Sequence, residues 1–187
     1  MKIEDGKGSG RQASVDHEHR IMTDAQTTTA LALATIKGDA FWVATDFIAL
    51  TTTGSFSGLC YLKNSGTTRK LTFHKLRVCG TNIQQVQWIK KPSTGTLISG
   101  GTTITPENLN SASSAKFLGT AKKGADALTV TDGTLWSQMV CEIGHCEEIL
   151  DGALILGPDD AIAVVTKPSV AGTYCAAFLV SYGNGDE

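Results

Sequence analysis

Reactive side chains are densest in this 187-residue chain at Cys141-Glu142-Ile143-Gly144-His145-Cys146. Thiol, imidazole and carboxylate are the groups that zinc selects. A structural zinc centre needs four converging ligands, usually drawn from two short-spaced pairs. Here one Cys/His/Cys group has no second pair. On a continuous strand Cys141 and His145 face opposite to Cys146, and only a break at Gly144 would bring the three together. His17-Glu18-His19 places two histidines on one side of an extended segment, which reads as a solvated arm rather than a metal clip. Gly6-Lys7-Gly8-Ser9-Gly10 has the glycines of a phosphate cradle, yet it neither follows a strand nor opens a helix.

Hydrolytic chemistry finds no better footing. The chain contains no Gly-x-Ser-x-Gly elbow. Glu147/Glu148 and Asp159/Asp160 are paired carboxylates, but neighbours on a strand point to opposite faces, so turn and surface roles suit them better than acid/base catalysis. Phe41-Trp42 and Trp88 are candidates for a sugar-stacking platform, although aromatic residues of this kind more often pack in a core or an interface. No catalytic residue, cofactor or metal ligand is expected, and no enzymatic activity.

The elements that position these residues are strands. Leu154 to Tyr182 reads as an apolar run, a Gly-Pro-Asp-Asp turn, a second apolar run, a Lys-Pro…Gly loop and a long final strand. So apolar a closing strand must be an inner strand of a larger sheet. Upstream, Phe41–Ala44, Asp46–Thr52 and Gly58–Lys63 read as strands before the turn Asn64-Ser65-Gly66. From Lys70 to Val78 the alternation puts Leu71, Phe73, Lys75 and Arg77 on one face, with Thr72, His74, Leu76 and Val78 on the other. Gln84–Lys90 alternates as well, with Val86 and Trp88 opposed to Gln85, Gln87 and Ile89. A long polar loop is expected from Lys91 to Gly124, then strands at Leu128–Thr131, Leu135–Ile143 and Glu148–Leu156. Residues 21–38 suggest one short helix ended by Gly38. Near ten strands with close turns imply an all-β fold, an antiparallel β-sandwich or jelly roll. The glycine-rich, mixed-charge residues 1–21 form an extended N-terminal arm, and 22–187 form the β domain.

Charge is segregated along the chain. From Phe47 to Pro106 there is no acidic residue, whereas Lys63, Arg69, Lys70, Lys75, Arg77, Lys90 and Lys91 are basic. After Gly124, ten carboxylates stand against Lys167 alone. Basic and acidic strands pairing across one sheet would account for this. So would opposed faces meeting between subunits. With few aromatics and a net charge of −2, nucleic acid is not an expected partner. Nor is a membrane, since no run approaches the roughly 20 apolar residues of a span. The first residues lack a signal-peptide core, which implies a chain made and kept in a cytoplasm unless it leaves in a larger particle. Cys60, Cys79 and Cys175 sit in apolar runs as small buried residues, and a disulfide framework is not expected.

Four stretches carry a resemblance: GSGRQASVDHEHRI, YLKNSGTTRKLTFHKLRV, GTLISGGTTITPENLNSASSAKF and LILGPDDAIAVVTKP. From about Gly8 to Tyr182 the chain resembles virion structural proteins of tailed phages, typically trimeric jelly-roll capsid-decoration (cement) proteins or related head and collar proteins. The resemblance implies a homotrimer on the virion, made in the host cytoplasm, with the major capsid protein as partner and no catalytic residues. It makes Gly8 to Ile21 an attachment or subunit-exchange segment and Thr102 to Phe117 a surface excursion. Arg11, Val15 and Arg20 would then contact the shell, Ile3 would add an apolar anchor, and Phe41 and Trp42 would bury the root of the arm. Two other expectations compete. One is a tail or collar module that binds a host receptor or glycan through its long loops and Trp42 or Trp88. The other is a metal-assisted hydrolase around Cys141–Cys146.

Overall fold

Two antiparallel sheets of six strands each pack face to face in a computed structural model. It describes residues 3–4, 12–15, 21–22, 29–66, 68–92, 96–126 and 128–183. Before residue 29, and at Thr96 and Asp151, the description covers backbone alone. Three short strands in the N-terminal segment, β1 (Ile3–Glu4), β2 (Gln12–Val15) and β3 (Ile21–Met22), pair in that order. After α1 (Ala30–Lys37), the first sheet takes β4 (Ala40–Ala44), β5 (Ile48–Leu50), β7 (Leu71–Gly80), β10 (Glu107–Asn108), β13 (Gly144–Leu156) and β15 (Gly172–Tyr182). The second takes β6 (Ser57–Asn64), β8 (Gln84–Lys90), β9 (Thr102–Thr103), β11 (Gly119–Lys123), β12 (Thr134–Cys141) and β14 (Ala161–Pro168). A short helix, α2 (Thr96–Gly100), lies between β8 and β9.

The spatial orders are β10-β4-β15-β7-β13, with β5 beside the start of β15, and β12-β8-β14-β6-β11-β9. As its apolar content requires, β15 is an inner strand between β4 and β7. Tyr174, Phe178, Val180 and Tyr182 point inward from it and join Leu62, Val86, Trp88, Ile162 and Val164 of the opposite sheet in one core. A second cluster lies outside the second sheet, where Leu97 of α2 packs on Tyr61, Ala161 and Ala163, flanked by Leu128 and Val130. This cover explains why β6 and β14 are buried along nearly their whole length.

The single expected helix is present with its expected stop. Thr29 caps its start by accepting the Ala32 N–H at 3.2 Å. Gly38 ends it at φ 77, a left-handed conformation glycine adopts without strain. Any Cβ there would also lie 2.0 Å from Ser113 Oγ.

Three local expectations give way. The alternation of Lys70–Val78 is interrupted by a β-bulge. On β15, the consecutive residues Leu179 and Val180 face Lys75 and Phe73, which leaves His74 as the extra residue. The slip sends Leu71, Phe73, Leu76 and Val78 all inward and turns Lys75 and Arg77 outward. Burying four apolar residues outweighs an unbroken ladder. The stretch from Lys91 to Gly124 is not one loop, since it contains α2, β9, β10 and β11. β11 is a polar strand held by its ladder to β6, with only Ala121 buried. Leu128–Thr131 forms no strand, and its apolar residues cover the second sheet instead.

Asp126 ties the loop after β5 to the segment after β11. Its carboxylate accepts the backbone N–H groups of Thr51 (2.9 Å) and Thr52 (3.0 Å) and the Thr51 hydroxyl. These bonds, the Thr51 hydroxyl first, hold its pKa well below the usual carboxylate range. A depressed folded pKa adds stability above the unfolded value of about 4. That stability is lost as pH falls through the folded pKa. Asp126→Asn is therefore expected to destabilise the protein at neutral pH, and urea titrations should show the gap from wild type closing in strong acid. A gap independent of pH contradicts this role.

Candidate functional site

β12 and β13 are the terminal strands of their sheets on the same side of the sandwich, joined by Glu142-Ile143. Gly144 makes the reversal at φ 108. Cys141 and Cys146 therefore meet across a corner between sheets, not along one strand, and form a disulfide with Cα atoms 5.6 Å apart. The sequence suggests no disulfide framework, and this one bond is the exception, while Cys60, Cys79 and Cys175 are free. Sulfurs bonded to each other are not available as metal ligands, and among the described residues no group of three or more His, Cys, Asp or Glu side chains is placed to hold a metal. Closing so short a loop is worth about 2 kcal/mol by chain entropy. Protein alkylated after denaturation without reductant is expected to carry label on Cys60, Cys79 and Cys175 only. Labelling of all five cysteines contradicts the bond.

Around this corner exposed aliphatic side chains stand among the exposed Glu142, His145 and Glu147. Val140, Ile143 and Ile149 are 65%, 71% and 66% exposed, and Leu135 and Ile155 add two more exposed aliphatic side chains. All five lie on or between two sheet-edge strands, whose outer backbone groups have no ladder partner among the described residues. Natural proteins usually guard such edges with lysine, proline or a covering element. β12 and β13 contain neither lysine nor proline, and what guards them is the acidic residues Glu147, Glu148 and Asp151 of β13 and a bulge in each strand. The sequence signal of the exposed aliphatic positions is apolar character at both parities, as at Met139/Val140 and Ile149/Leu150.

The other candidate residues scatter. Phe41 points into the core, with ring centroids 5.5 Å from Phe117 and 6.0 Å from Tyr182, so its side chain is not at a surface. Trp42, one residue on, faces outward and is half-buried. Trp88 is 1% exposed, which removes it as a sugar platform. Ile3 and Val15 are placed as backbone in β1 and β2. Their side chains, with Arg11, Arg20, His17-Glu18-His19 and Gly6 to Gly10, lie outside the described residues.

Several of the segregated charges are paired within the chain. Glu147 takes Lys75 (3.1 Å) and Arg77 (3.5 Å) across the β7–β13 ladder. Lys63 meets Asp159, Lys91 meets Asp160, and Arg69 meets Asp39 at 2.8 Å. Five of the seven basic residues are thus paired inside one subunit, four of them with Glu147, Asp159 or Asp160 of the acidic stretch. Asp159 and Asp160 serve the turn, Asp160 also accepting the Gly157 N–H at 3.2 Å. Glu148 points the other way from Glu147, and burial raises its pKa. Cys79 and Cys175 oppose each other on the outer face of the first sheet. Burial, reinforced by the hydrogen bond to Cys79, pushes the Cys175 thiol up to about 12, so it stays protonated and a poor nucleophile. No protein-family model, curated protein or solved structure matches the chain.

Proposed function

We propose that this chain is a non-enzymatic virion structural protein of a tailed phage. On this reading it is a capsid-decoration or cement protein that binds the outer shell as a homotrimer, with the major capsid protein as its partner. The observation that carries the reading is the set of exposed aliphatic side chains on and between the edge strands β12 and β13, a feature suited to contact with another chain.

Two further features support it. Without β11 and the short β5, β9 and β10, the eight remaining strands of the body can be renumbered in chain order. The sheets then run 1-8-3-6 and 5-4-7-2, the arrangement expected of a jelly roll with its two Greek keys. The Cys141–Cys146 disulfide suits a protein that ends on a particle surface, where such bonds persist. Repetition of one interface over a shell multiplies weak contacts, so no single contact has to be strong.

Quantitative mass spectrometry of purified particles against the coat protein tests this reading. A copy number comparable with the coat protein is the expected result. A few copies per particle would place the chain at a vertex, collar or tail, and absence from particles would end the virion reading.

A further inference from the structure

On the side of the sandwich away from β12 and β13, a groove of about 370 Å³ opens where the segment from Thr102 to Glu107 crosses between the sheets. Trp42 of β4 lines it, together with Asp46, Thr103, Thr105, Glu107 and Lys123. Trp42 and Glu107 are directly opposite in the β4–β10 ladder, so both side chains stand on one face about 5 Å apart at Cβ. The strap is fixed at both ends: β9 is laddered to β11 through Lys122 and Lys123, and β10 to β4. The groove therefore exists before any ligand arrives.

We propose that this groove binds neutral hexopyranose chains, with Trp42 as the stacking platform and Glu107 as the hydroxyl acceptor beside it.

An indole presents a negative π face, which suits the weakly positive C–H face of a pyranose ring. The ring's hydroxyls then point sideways and need acceptors and donors at its rim. Glu107 supplies an acceptor at the required side, and Thr103 and Thr105 supply exposed hydroxyls able to do both. Few polar groups around an apolar surface are what orient a small ligand. Charge narrows the class. Asp46 is paired with Lys123, so Glu107 leaves the groove with net charge −1. Uronic and sialic acids, phosphorylated sugars and nucleotides would meet a carboxylate where they need a cation. The proposal does not depend on the virion reading, because the groove lies on the edge opposite β12 and β13.

Isothermal titration calorimetry of the full chain is the test, with maltohexaose, cellohexaose, mannohexaose and chitotetraose as ligands and oligogalacturonate as the anionic control. At least one neutral oligomer is expected to bind with a Kd on the order of 1 mM or tighter. Trp42→Ala should abolish that binding and Glu107→Gln should weaken it about tenfold, both with an unchanged circular dichroism spectrum. Glu107→Gln is an exposed, near-isosteric change and keeps the test decisive if Trp42→Ala fails to fold. Binding by none of the neutral oligomers overturns the proposal. So does neutral-oligomer binding that Glu107→Gln leaves intact, or stronger binding of oligogalacturonate. A Trp42→Ala variant that alters only self-association would assign the groove to a second copy of the chain, which also overturns it.

Discussion

Phe178→Ala is expected to lower stability by roughly 3–5 kcal/mol, the range for emptying a buried phenylalanine site. Phe178 is fully buried at the middle of β15, with its ring edge-on to Phe73 at 5.5 Å and 87°. The strand is hydrogen-bonded to β7 on one side and β4 on the other, so the backbone has little room to collapse into the cavity. Total stabilities of about 5–15 kcal/mol make this a large fraction, and the thermal midpoint should fall by roughly 6–20 °C. The neighbouring Leu179 provides the control. It faces out beside Trp42 and is half-buried, so Leu179→Ala should have a much smaller effect. Equal effects at the two positions would mean that the inner and outer faces of β15 are misassigned.

Asn64→Asp should be nearly as damaging, for a different reason. Asn64 is fully buried, and its side-chain amide donates to the carbonyl oxygens of Arg69 (2.9 Å), Gly157 (3.1 Å) and Leu156 (3.2 Å). Its side-chain oxygen accepts the Gly66 N–H at 3.2 Å. Its backbone exchanges bonds with Asp159 and Asp160. One residue thus pins the β6–β7 turn to the turn before β14. A carboxylate has the same shape but donates nothing, so it would set a buried charge against three carbonyl oxygens. A loss of about 2–4 kcal/mol at neutral pH follows from the unsatisfied groups. Protonation restores one donor. The folded pKa of this carboxyl would therefore be raised, and its penalty should shrink relative to wild type as pH falls below that pKa. Chemical denaturation of both proteins at neutral and acid pH measures it. A penalty that stays constant with pH would show that packing, not hydrogen bonding, is what Asn64 supplies.

The strands were legible in the sequence where their apolar residues alternate or run unbroken. β8, β14 and β15 came through for that reason, and so did the helix stop at Gly38. Whatever depends on a partner element did not come through. The bulge at His74 is dictated by four apolar residues competing for one core, which periodicity in β7 alone does not show. β11 looks like loop because its order comes from the ladder to β6 rather than from side-chain burial. Cys141 and Cys146 face apart on any single strand, and only the change of sheet at Gly144 joins them. The Trp42 groove assembles residues from β4, β11 and the β9–β10 strap, more than 80 positions apart at the extremes (Trp42 to Lys123). Single-residue reading saw Trp42 as one of three tryptophans and had no means to separate it from Trp88, which is buried.

On the reading proposed above, the exposed aliphatic side chains of β12 and β13 supply the contact between copies in the trimer. Sedimentation velocity over a concentration series tests it directly, comparing wild type with Val140→Lys/Ile149→Lys. Both positions are about two-thirds exposed, so the double substitution should leave the fold intact by circular dichroism. Wild type is expected to sediment as a concentration-dependent oligomer and the variant as a monomer. A wild-type protein that remains monomeric throughout, or a variant that assembles as wild type does, would contradict the account.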